Sequence, residues 1–152
     1  VSTDKPTHLV EYEAMLLGRH SHLVASGAAR AGGLERSAYI LLSRIRADGP
    51  MTIRRLSEAF GLDPSTLNRQ TAALTRAGLL ERIPDPDGGL ARKFQITVEG
   101  DRRLHAHREE IIRGLERVMA DWSAGEVAAF AACLKRFNTD IERLTGHPWP
   151  RP

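Results

Sequence analysis

The sequence predicts a mainly α-helical chain carrying one small β-hairpin. Three observations point there: apolar residues recur at helical spacing in six separate stretches, most of these stretches end at glycine, and only two short alternating runs occur, flanking the loop PDPDGG. The low aromatic content of 5% also argues for helices rather than a β-sandwich.

In chain order, Leu9, Tyr12, Leu16 and Leu23 lie along one face of a helix from about Thr7 to Arg30, which Gly32-Gly33 should end. Leu34, Ala38, Leu41, Leu42 and Ile45 mark a second helix, closed by Asp48-Gly49-Pro50. Thr52 can cap a short third helix bearing Ile53, Leu56, Ala59 and Phe60, with a stop at Gly61. Leu62 is expected to anchor a tight turn. Asp63 can then serve as N-cap, and Pro64 as the first residue of a fourth helix, where a missing N–H costs nothing. Leu67, Thr71, Ala73 and Leu74 should supply its inner stripe, leaving Ser65, Thr66, Asn68, Arg69 and Gln70 pointing outward. Gly78 stops that helix and the hairpin follows. Thr97 can cap a long helix with Leu104, Ile111, Leu115, Val118 and Met119. Ser123 and Glu126 form a capping-box signature for a last helix with Val127, Phe130, Leu134, Phe137, Ile141 and Leu144.

Two short helices across a tight turn, followed at once by a hairpin, make a winged helix-turn-helix, a DNA-reading module. The side chains expected on the outer face of the fourth helix suit that work: arginine can take guanine O6 and N7 together, and Asn or Gln can read adenine. Ser65 or Thr66 can hold phosphate near the positive helix end. Arg54 and Arg55 on the preceding helix can clamp phosphates, although a charged face is commonly just solvated.

The pattern resembles the MarR family of bacterial regulators, in which a recognition helix of the type S-x-x-T-x-R-x-x-x-x-L is followed by G-L-[VIL]-x-R, a wing, and L-T-x-x-G. Arg69 and Leu74 keep that helix spacing, with Ser65 and Thr66 as the hydroxyls beside it; then come Gly78, Leu79, Leu80, Glu81 and Arg82, and finally Ile96, Thr97 and Gly100. One departure stands out. Aligned from Gly78 to Thr97, the family's wing motif D-x-R-[AS] falls on Gly88, Gly89, Leu90 and Ala91, so its acid and its arginine are both missing. Arg92 and Lys93 are the available substitutes, or else simply solvated strand residues. In such families small aromatic or carboxylate-bearing effectors sit between the dimerisation helices and the reading head. The resemblance therefore makes Tyr12, Arg19, His20 and Tyr39 conceivable lining residues, with Arg19 interrupting the apolar stripe of the first helix. A salt bridge or a snorkelling side chain is the plainer account of Arg19.

The 152 residues are expected to form one domain, with residues 34–97 as the winged helix-turn-helix, 1–33 and 98–147 as dimerisation helices, and 148–152 as a Pro-rich tail that Trp149 can dock on the body. The terminal helices hold more apolar surface than the compact head can cover, so a twofold homodimer is expected, addressing a pseudo-palindromic operator on double-stranded DNA. Of 22 basic residues only Lys5, Lys93 and Lys135 are lysines, and the formal charge of +3 permits nucleic-acid binding without demanding it. Within residues 52–93, seven basic residues face five acidic ones, so specificity must rest on placement.

Cys133 is the sole cysteine, which excludes an internal disulfide, fits a cytoplasmic protein, and reads as buried and inert. No signal-peptide core or bilayer-length apolar run occurs. His20/His22 and His105/His107 are each two apart and so diverge around a helix, which argues against a metal site, and no cofactor is expected. With no Gly-rich phosphate loop, nucleophile elbow or paired-cysteine motif, the chain reads as no enzyme. The expected function is thus a ligand-responsive repressor. Its rival is a protein-interaction module that kept the winged fold but lost specific DNA reading.

Overall fold

The computed structural model of the protein describes residues 5–30 and 33–151, with side chains for all of these but 22–30. The inward place of Leu23, the side chain of His22 and Gly32 of the expected Gly32-Gly33 stop therefore lie outside the described residues. The elements run α1 (Thr7–Arg30), α2 (Arg36–Asp48), α3 (Ile53–Phe60), α4 (Pro64–Arg76), β1 (Leu80–Ile83), β2 (Lys93–Ile96), α5 (Val98–Val118) and α6 (Ala124–Thr145). This is the expected mainly helical chain with one two-stranded antiparallel sheet.

The core belongs to the middle of the chain. Leu34, Leu41, Leu42 and Ile45 meet Leu56 of α3, Leu67 and Leu74 of α4, Leu79, Leu80 and Phe94 of the hairpin, and Leu104 of α5. Truncating any of the fully buried leucines to alanine would cost about 2–5 kcal/mol, because a packed interior relaxes only partly around the cavity. By contrast α6 contributes no buried residue, and Leu9, Val10, Tyr12, Met15 and Leu17 of α1 are exposed. The expected face of α5 splits: Leu104 is buried, Ile111 half-buried, and Leu115 and Val118 exposed. Cys133 is exposed rather than buried, since α6 turns none of its residues into this core.

Local chemistry sets the helix ends. Thr52 Oγ1 accepts the Arg55 N–H at 3.2 Å, and Ser123 and Glu126 make the reciprocal capping box. Asp63 occupies the N-cap of α4, but its side chain makes no capping bond. α4 ends in a Schellman motif, in which the Leu79 N–H donates to Leu74 O at 2.9 Å and the Gly78 N–H to Thr75 O at 3.0 Å, with Gly78 at φ 75° where a Cβ would strain the backbone. Ala73 is exposed, because it lies about 120° around α4 from Leu67. Leu62 is exposed too, and the turn is held by Ser57 Oγ donating to Leu62 O at 2.6 Å.

The hairpin pairs Leu80 with Ile96 and Ile83 with Lys93. Met51, just before α3, adds an isolated bridge, its N–H donating to Phe94 O at 3.1 Å and its carbonyl accepting the Phe94 N–H at 2.8 Å. Thr97 then locks wing, α4 exit and α5 together. Its N–H donates to Leu79 O at 3.1 Å, and its hydroxyl donates to Gly78 O at 2.6 Å while accepting the Gly100 N–H at 3.0 Å.

Candidate nucleic-acid interface

α4 stands on the core through Leu67, Thr71 and Leu74, and Thr71 Oγ1 returns its proton to Leu67 O at 2.8 Å, so no polar group of this inner face is left unpaired. The opposite face carries Ser65, Asn68 and Arg69, all exposed. Thr66 and Gln70 are half-covered instead of fully outward; Gln70 lies about 60° around the helix from Leu67, and both stand on the same flank of the buried stripe. Among the described residues Arg69 makes no ion pair. The same is true of Arg76, two turns further along that face, with the small Ala72 between them. In the sequence Arg76 is one of the seven basic residues of 52–93, and its spacing of seven from Arg69 is the signal that places it on the same face.

On α3, Arg55 is exposed and unpaired, whereas Arg54 shares an exposed pair with Glu58 at 3.2 Å. Such a pair is weak enough in water for a phosphate to compete with it.

In the wing, Arg92 is exposed and without an ion-pair partner, but Lys93 is not a free cation. Its side chain is only 12% exposed, and Nζ lies 3.0 Å from Asp85 and 3.7 Å from Asp87. Asp85 also accepts the Asp87 N–H at 2.9 Å, and these two donors hold its carboxyl below the usual carboxylate range. Lys93 thus folds the loop; Arg92 is the side chain presented to solvent. Leu90, on which the wing motif's arginine position falls, is fully exposed.

The four residues considered for an effector do not converge within one chain. Tyr12, Arg19 and His20 stand exposed on α1, and Tyr39 is half-buried on α2 with its ring 5.0 Å from that of His107. A cleft of about 310 Å³ lies elsewhere, between Ser43 and Arg46 of α2, Leu104 and Arg108 of α5, and Pro150 and Arg151 of the tail. Among the described residues no group of three or more His, Cys, Asp or Glu side chains is placed to hold a metal ion, and no helix is long and apolar enough to cross a membrane.

An exposed polar helix face, seated on a helix-turn-helix and flanked by a two-stranded wing, defines the class of winged helix-turn-helix DNA-binding transcriptional regulators. The chain belongs to the MarR family: that family's model matches residues 34–88, from just before α2 into the wing loop. It is 36% identical over 138 residues to the uncharacterized HTH-type transcriptional regulator YxaD of Bacillus subtilis, covering 91% of this chain and 96% of that one. The fold is also that of a MarR family protein from Bacillus stearothermophilus, with a TM-score of 0.74 at 20% identity over 90% of this chain and 97% of the other. The organohalide-sensing regulator RdhR-CbdbA1625, solved with 2,4-dichlorophenol bound, superposes with a TM-score of 0.67 at 16% identity, covering 94% and 85% of the two chains.

Proposed function

We propose that the protein is a homodimeric, ligand-responsive repressor that reads a pseudo-palindromic operator. The observation that carries the DNA-reading part is the outer face of α4, where Arg69 and Arg76 stand unpaired beside Ser65 and Asn68. A free guanidinium at the middle of a recognition helix can take guanine bidentately, and the N-terminal end of α4 offers its amides to a phosphate. Arg55, Arg54 and Arg92 flank that face as phosphate contacts, with Thr66 and Gln70 at its edges.

Dimerisation is supported by the apolar surface left on α1, on the second half of α5 and on α6. In this reading residues 34–97 are the reading head, and 1–33 with 98–147 build the twofold interface. Two α4 helices about 34 Å apart then meet successive major-groove faces. Ligand response is supported by the dichlorophenol-bound relative. An effector acts if it binds a head spacing that misses the half-sites more tightly, and a tenfold loss of operator affinity corresponds to roughly 1.4 kcal/mol of coupling.

A second reading, a protein-interaction module, is favoured by fully exposed Leu90 at the wing, an apolar side chain at the position on which the wing motif's arginine falls. Selection from a genomic DNA library at near-physiological salt separates the two. Recovery of one pseudo-palindrome, with Arg69→Ala relaxing one base position at a cost of about 1–3 kcal/mol, supports the regulator. Retention of no motif, vanishing as salt rises, supports the module.

A further inference from the structure

The segment after α6 folds back onto the reading head. The Trp149 ring stands edge-on to Phe60, the last residue of α3, with centroids 5.4 Å apart and planes at 81°. The Arg44 guanidinium of α2 lies over the same indole, 4.9 Å from its centroid, and donates to Pro148 O at 3.2 Å and to Asp48 at 2.6 Å. Arg44 is only 8% exposed, so it is a buried charge whose partners are one acid, one tail carbonyl and one tail ring. The segment is anchored a second time on α6 itself. Glu142 accepts the Trp149 N–H at 3.1 Å and is clasped on both carboxylate oxygens by Arg151, which pushes its carboxyl down to about 2. His147 places its imidazole against Gly61, in the turn between α3 and α4.

These contacts touch the ends of α2 and α3 and the turn that sets the angle of α4, while the other end of the segment is held by α6. A rotation of the head relative to α6 has to separate Trp149 from Phe60 and Arg44, or open the Arg151–Glu142 clasp. We propose that residues 147–151 form a strap that fixes the orientation of the recognition helix relative to α6, with Trp149, Arg44 and Glu142 as positioning residues for DNA reading. This rests on the operator-reading function proposed above. The strap makes head spacing a property of the tail as well as of the dimer interface.

The test uses full-length variants and two readouts. In a Trp122→Phe background Trp149 is the sole tryptophan, and its emission should be protected from acrylamide; adding Arg151→Gln should raise its quenching. The second readout is affinity for the selected operator and for versions with half-site spacing changed by one base pair. Trp149→Ala and Arg151→Gln should each weaken the native spacing by about three- to tenfold and flatten the spacing preference, and Trp149→Phe should restore most of both. Arg151→Gln, a surface change, keeps the question open to an answer if Trp149→Ala fails to fold. A recovered motif whose affinity and spacing profile are unchanged in Arg151→Gln, or a Trp149 quenched like a free peptide, overturns the strap. A protected Trp149 in a protein that selects no motif overturns instead the DNA-reading function, and with it the positioning role.

Discussion

Lys93 Nζ lies 3.0 Å from Asp85 Oδ1 and closes the wing loop from inside, while its neighbour Arg92 faces solvent. Adjacent basic residues therefore have separate tasks. Arg92→Ala should lower the salt slope of operator binding by about one counterion and weaken all sequences alike. Lys93→Met should leave that slope unchanged and instead speed amide exchange at Asp87 and Gly88. Equal slopes for wild type and Arg92→Ala would remove the wing from the interface. Because the Asp85 pKa is depressed, its contribution to the wing is present above its unfolded value of about 3.8 and fades only as pH falls through the lower folded one, so neither result should vary between pH 6 and 8.

Gly100 is required by space rather than by conformation. A Cβ there would lie 2.2 Å from Leu79 O and 2.9 Å from Ile96 Cγ1, and the first of these is backbone held by the Thr97 N–H. Gly100→Ala should destabilise by about 1–3 kcal/mol, the usual cost of overpacking. Gly114, in the same helix, meets nothing closer than an Arg117 nitrogen at 3.9 Å, so Gly114→Ala should stabilise by up to about 1 kcal/mol. Urea midpoints measure both; equal shifts would mean that α5 does not approach Leu79 this closely.

That contrast shows what was legible in the sequence. Periodicity and caps are local, so Thr52, Thr97 and the Ser123–Glu126 box were readable, as were Gly61 and Gly78. The resemblance identified Gly100 without its reason, which is the Leu79 carbonyl between α4 and β1. Residues whose surroundings come from distant segments were less legible: Lys93 read as a free cation until Asp85 folded onto it, and Cys133 read as buried on a helix that buries nothing. Helical phase alone would have placed Arg76 with Arg69 and moved Ala73 outward. Tyr12, Arg19, His20 and Tyr39 do not converge within one chain, and proximity between α1 and α2 side chains is not encoded in either helix's own pattern.

His107 makes a pH prediction. It is buried, its Nδ1 accepts the Leu34 N–H at 3.1 Å, and its ring packs on Tyr39, so it is held neutral and its pKa is lowered by desolvation. The unfolded chain takes up this proton at about pH 6.5, before the folded one does, so stability is full above that pH and is lost progressively as pH falls towards the lower folded pKa. Thermal midpoints should thus decline from pH 7.5 to 5.5. His107→Asn, whose amide oxygen can still accept from Leu34, should flatten the decline; an undiminished slope would place the titrating group elsewhere.

The apolar face of α6 makes the most demanding prediction. Phe130, Phe137, Ile141 and Leu144 are exposed on a 22-residue helix that buries nothing, and α1 and α5 leave Leu17, Leu115 and Val118 exposed as well. So much uncovered aliphatic and aromatic surface disfavours a solitary chain in water, and permanent twofold interfaces commonly bury more than about 2,000 Å². Micromolar protein should therefore sediment as a dimer. The core of residues 34–104 does not involve α6, so Phe137→Glu should separate the subunits without unfolding the head. The resulting monomer should keep slow exchange at Leu42 and Leu56 and bind a single half-site, but lose the high-affinity pseudo-palindrome, because the two heads no longer share one binding event. A Phe137→Glu protein that still sediments as a dimer would move the interface off α6. A monomeric wild type that selects a palindrome would require the heads to assemble on DNA.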